Sequence, residues 1–150
     1  MGQFHLVNPG LQDWIGGFTP AAADTLKTGL LARISANGVL TVCTADNKPD
    51  GLVFTNRTQV YARADGYADA GEYVTLVRGR NVRALVDSSF FYTNTLPARN
   101  ALLYTAGNGL MDTSGAAAGY VGKCIDSSPN VRSAPNTESN MVEIEATFGV

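Results

Sequence analysis

Charge is scarce in this chain. Only 16% of its 150 residues are Asp, Glu, Lys or Arg, against roughly 25% in an average soluble domain. The eleven bases and thirteen acids leave a net charge of −2, so no positive excess exists to hold a phosphate backbone, and nucleic-acid binding is not expected. The densest basic stretch, Arg78, Arg80 and Arg83, reads as solvated strand edges that discourage wrong pairing, or as an ionic contact to an acidic neighbouring subunit. Membrane-spanning runs of about 18–20 apolar residues are lacking. So is an N-terminal pattern of basic residues followed by an apolar stretch, so maturation in the cytoplasm of the producing cell is expected.

Reactive groups are just as few. His5 is the only histidine, and no serine or cysteine nucleophile has an identifiable partner in sequence, so a Ser-His-Asp or Cys-His site would hang on that one residue. Cys43 and Cys124 lie far apart in sequence and with one histidine cannot make a zinc site of the usual spacing. In a reducing compartment both read as small apolar fillers of strands, with a disulfide as the alternative. Asp46, Asp50 and Gly51 faintly evoke a calcium loop, but Lys48 takes a ligand position and Arg57 stands where a bidentate glutamate is needed. Asp65, Asp69 and Glu72 read more simply as turn residues than as a glycosidase pair. No catalytic, cofactor-binding or metal-binding residue is assigned, and the expectation is that the chain is not an enzyme.

What is present is a repeated turn. Asn37-Gly38 and Asn108-Gly109 lie in segments that align without a gap, Leu31–Phe54 against Leu102–Ile125, with Leu31/Leu102, Ala45/Ala116 and Gly51/Gly122 also coinciding. Asn-Gly favours two-residue type I′ hairpins, where both central residues take positive φ. Between these turns run short segments rich in β-branched and aromatic residues, such as 39–44, 52–54, 59–63, 72–77 and 82–87, and 141–148 alternates strictly. Ala21–Leu31 is the one helical candidate, weakened by Gly29. Residues 127–139 read as a long surface loop. The expected fold is all-β, a small sandwich or partly closed barrel built from repeated Asn-Gly hairpins.

Residues 1–24 read as an irregular N-terminal arm ahead of a single β-domain at 25–150, because Pro9, Gly10, Gly16, Gly17 and Pro20 break any period. The arm nevertheless carries Phe4, Trp14, Ile15 and Phe18. These side chains need cover, either from the chain's own core or from a neighbouring subunit, and they form the candidate subunit or capsid interface.

The strings Leu30–Val39, Ala70-Gly71-Glu72-Tyr73-Val74, Leu103–Leu110 and Val121-Gly122-Lys123 together resemble the capsid decoration, or structural cement, proteins of tailed bacteriophages. The likeness covers roughly residues 30–126 and consists of turns and apolar spacing. It implies a non-enzymatic virion protein, made in the host cytoplasm, on the outside of an icosahedral shell. There it would form a trimer at local three-fold positions and bridge major capsid proteins, with an arm engaging neighbours. A carbohydrate- or receptor-binding β-domain for host attachment is the competing expectation.

Overall fold

The computed structural model describes residues 4–7, 13–20, 26–35, 37–54, 67–68, 72–126 and 141–148. The described residues form strands β1 (Phe4–Leu6), β2 (Asp13–Pro20), β3 (Leu31–Ile34), β4 (Val39–Val42) and β5 (Gly51–Phe54). These are followed by β6 (Val74–Asp87), β7 (Leu102–Thr105), β8 (Met111–Asp112), β9 (Tyr120–Asp126) and β10 (Met141–Phe148). The sheet order is β2-β4-β3-β5-β6-β10-β9-β7-β8, and β2 also pairs with β6. That second pairing closes β2, β4, β3, β5 and the first half of β6 into a five-stranded barrel. The all-β expectation therefore holds, with a closed barrel as its central feature.

The repeat is real in the hydrogen-bond ladder. In the first unit Ile34 faces Leu40 across the hairpin, and Leu31 and Ala32 face Leu52 and Gly51. In the second, Thr105 faces Met111, and Leu102 and Leu103 face Lys123 and Gly122. Every position is displaced by one constant step, that from Asn37 to Asn108. Barrel closure repeats as well. Pro20 pairs in parallel with Leu40, and one step later Phe91 forms a parallel bridge to Met111. The second unit is thus β6-β10-β9-β7-β8, brought back on itself just beyond the end of β6.

The two turns differ in detail. Asn108 (φ 60°, ψ 30°) and Gly109 (φ 74°) occupy the left-handed region as a type I′ turn requires, with Leu110 N–H donating to Gly107 C=O at 3.2 Å. At the first turn Gly38 (φ 75°) donates to Ser35 C=O at 3.0 Å, and Ser35 N–H donates to Val39 C=O at 2.8 Å. This is a three-residue connection closed by a residue in αL, and Ala106 N–H donating to Leu110 C=O at 2.9 Å closes the second hairpin over three residues as well, which corrects the two-residue expectation at both.

Three further expectations change. Residues 4–6 and 13–20 are strands of the sheet, so the arm is not irregular where it is described. Its period is hidden by a register shift between Ile15 and Phe18, where Gly17 takes φ +87°. Leu26–Leu31 forms a bridge at Lys27, a turn and the start of β3 in place of a helix, and residues 21–25 lie outside the described part. The two strands expected at 72–77 and 82–87 are one strand, β6, bent at Gly79 (φ 119°) and Asn81 (φ 55°). Its first half serves one unit and its second half the other. The strand expected at 59–63, Asp65, Asp69 and the loop at 127–139 lie outside the described residues.

Packing follows the pleat. Ala32, Leu40, Val53, Val74 and Leu76 fill the closed barrel with Leu26 and Ala68. Leu31, Leu52 and Val77 point outward from that barrel, yet they are buried with Leu103, Met111, Cys124, Val142 and Ile144 of the second unit. One cluster therefore spans both units. At roughly 25 cal/mol per Å² of apolar area, this shared cluster is the main force joining them.

Candidate functional site

The four residues singled out from the sequence do not gather into one surface. Phe4, half-buried in β1, stands 6.1 Å from Phe90 ring to ring and packs on the shared cluster. Ile15 lies opposite Leu76, and Phe18, opposite Val74, packs on the barrel interior. Phe4, Ile15 and Phe18 are each half-buried, Phe4 and Phe18 against the chain's own two apolar clusters. Trp14 differs. It pairs with Val77 on the barrel exterior, stands edge-on to Phe54 at 5.2 Å and 81°, and is 40% exposed.

A second apolar surface belongs to the outer side of β7 and β9. Tyr104 and Tyr120 are cross-strand partners with ring centroids 5.8 Å apart at 68°, and Tyr120 and Leu102 are each 47% exposed. Lys123, opposite Leu102, is exposed too. Tyr104, Tyr120, Leu102 and Lys123 correspond by the repeat to Arg33, Pro49, Leu31 and Leu52, of which Leu31 and Leu52 are buried between the units. The Leu31–Leu52 part of this face is therefore covered in the first unit, while its counterpart Leu102–Lys123 is open in the second.

Beside this face lies an open groove of about 320 Å³, lined by Phe91, Thr93, Leu96, Ala101, Asp112 and Thr113 among others. Hydroxyls and one carboxylate rim it, with Phe91 and Leu96 contributing apolar area. The Thr93 and Thr95 hydroxyls are 2.8 Å apart, and Asp112 Oδ1 accepts the Thr113 N–H at 2.7 Å.

Groups with reactive potential are used structurally. Cys43 and Cys124 are free, fully buried thiols. Burial is the largest cause pushing their pKa values up from 9.0, to about 12 for Cys43 and about 11 for Cys124. Neither is a thiolate near neutrality, so neither has the character of a nucleophile. Asp50 Oδ2 accepts the Ile34 N–H at 2.7 Å, and Asp46 Oδ1 accepts the Ala116 N–H at 3.4 Å, so both carboxylates tie loops together. Among the described residues no group of three or more His, Cys, Asp or Glu side chains converges as a metal site. The His5 backbone sits in β1 opposite Leu85.

Pattern reading missed the groove because its walls come from the 91–101 segment and β8, which only folding unites. One signal was legible. Leu102 repeats Leu31, yet Leu52, the cross-strand partner of Leu31, is answered by Lys123. No family model, curated protein or solved structure matches this chain.

Proposed function

We propose that this protein is a non-enzymatic virion component that binds the outside of an icosahedral phage capsid as a trimer and stabilises it by bridging major capsid proteins. The observation that carries this reading is a pair of partly exposed apolar surfaces, Trp14 beside half-buried Phe54 on one unit and Leu102 and Tyr120 beside half-buried Tyr104 on the other, with Tyr73 and Tyr92 also exposed. The resemblance of residues 30–126 to decoration proteins and the low charge of the chain support it. Each contact with a shell subunit removes apolar area from water at roughly 25 cal/mol per Å² gross, before ordering costs. Repetition over a symmetric lattice converts modest single contacts into strong overall attachment.

Mixing the purified chain with expanded shells that lack it tests the reading. Saturable co-sedimentation, with shells that then survive higher temperature, is the expected result; free protein at all ratios overturns it. A second reading, carbohydrate binding for host attachment, draws on exposed Tyr120 and its half-buried partner Tyr104, since sugars stack on aromatic rings. Retention on immobilised glycans, lost on Tyr120→Ala, would favour it.

A further inference from the structure

Among the described residues, two Asn-Gly hairpin tips and two places to seat them are present, and one of each is used. The second tip is docked. Gly109 N–H donates to Cys43 C=O at 2.8 Å, and a Cβ on Gly109 would lie 3.0 Å from Leu31 O, 3.2 Å from Leu30 Cβ and 3.3 Å from Val42 Cβ. The first unit thus holds the second unit's Asn-Gly turn in a seat formed by residues 30, 31, 42 and 43. The first tip is open among the described residues: Asn37 and Gly38 are exposed, and no described atom lies within 4 Å of a Cβ built on Gly38.

Applying the repeat step to that seat gives Ala101, Leu102, Thr113 and Ser114. Ala101 and Thr113 line the open groove of about 320 Å³. Leu102 is 47% exposed, whereas Leu31 in the occupied seat is fully buried. The groove is therefore the second unit's version of a seat that, in the first unit, contains a hairpin tip. Its lining has also changed in a consistent sense. Leu30 becomes Ala101, which widens the space, while Val42 becomes Thr113 beside Asp112, which adds acceptors for an amide side chain.

We infer that the Asn37-Gly38 tip of one copy of this chain inserts into the Ala101–Asp112–Thr113 groove of a second copy, joining copies head to tail. The contact is between unlike surfaces, so successive copies continue around until a ring closes. It names the joint by which the trimer of the proposed function would be built and rests on that reading for the number of copies, but it is tested without any shell. The inserted Asn37 carboxamide donates to Asp112 and Thr113, and Leu102 gains the cover that Leu31 already has. A single tip buries little area compared with the roughly 1,200–2,000 Å² of a standard interface, so the individual joint is weak and closure of the ring adds the stability.

Sedimentation velocity on the full chain over a wide concentration range tests this, with three variants and one mixture. Asn37→Glu places a carboxylate against Asp112 and damages only the tip; Thr113→Arg and Thr95→Arg, at exposed positions on opposite walls, damage only the groove. Circular dichroism melts confirm that each variant folds. The wild type is expected to associate, and each variant to associate at least about tenfold more weakly. Mixing Asn37→Glu with Thr113→Arg leaves one good tip and one good groove, so the mixture is expected to recover association that neither variant shows alone. A wild type that stays monomeric at the highest concentration, association undiminished in the variants, or a mixture that remains monomeric would each overturn the inference. An associating wild type that ignores shells would sink the capsid reading alone.

Discussion

Gly51 and Gly122 show at the scale of single residues why parts of the repeat are kept. A Cβ on Gly51 would lie 2.6 Å from the Val77 carbonyl oxygen, and one on Gly122 would collide with the Glu145 carbonyl oxygen. Val77 and Glu145 hold matching places beside β5 and β9, so both units bring neighbouring strands too close for any side chain. Gly122→Ala is expected to destabilise the protein by roughly 2–4 kcal/mol, because the clash is with backbone that cannot swing away; the urea midpoint measures it. Gly109→Val adds a positive φ of 74° to a contact with Leu31 O and is expected to cost at least as much, whereas native stability in that variant would contradict the docked turn. The buried thiols make a pH prediction. Native Cys43 and Cys124 keep their protons above pH 9.0, where the unfolded chain loses them, so the native state binds more protons there. Their contribution is intact below pH 9.0 and is lost as pH rises toward about 11 and about 12. Unfolding midpoints compared between about pH 8 and about pH 10.5 should fall, and fall less in Cys43→Ala.

At the scale of elements, β6 and β10 carry the molecule. β10 alternates as its sequence indicates, with Val142, Ile144, Ala146 and Phe148 turned to the core. The other side of that alternation is not open at Glu143, which is fully buried and paired with the Arg83 guanidinium. Removing one member of such a pair leaves a charge in low dielectric, so Arg83→Met is expected to cost roughly 2–4 kcal/mol. Adding Glu143→Leu to it should restore part of that loss, since desolvation of the carboxylate is then relieved; a denaturation double-mutant cycle reads this directly. Trp14→Ala acts on β2. Its loss removes one edge-on aromatic contact with Phe54, expected to be worth about 0.5–1.5 kcal/mol in stability. Because the ring is 40% exposed, shell co-sedimentation should suffer more than the melting temperature does.

The whole molecule is one body because its units share both a strand and a core. Leu31, Leu52 and Val77 lie outside the closed barrel and inside the joint cluster, so residues 1–80 expressed alone would expose them to water. That fragment is expected to aggregate or remain unfolded, and a soluble fragment with dispersed amide resonances would show that the barrel does not need its neighbour. The intact chain is expected to melt in one transition by calorimetry, with no separate event for either unit.

Local chemistry alone determined the all-β class, the position of most described strands and the site of both Asn-Gly turns, since β-branched runs, strict alternation and positive-φ residues act over a few neighbours. The near-coincidence of Leu31–Phe54 with Leu102–Ile125 was also legible, and the ladder shows it as a shared register. What only the tertiary structure decided is which copy of each repeated feature is covered. Gly38 and Gly109 each follow an asparagine at the same place in the repeat, and Leu31 and Leu102 each open its first strand. They part company because β6 bends at Gly79 and sets the second unit's turn against the first unit's strands, a contact between residues far apart in the chain that no local pattern encodes.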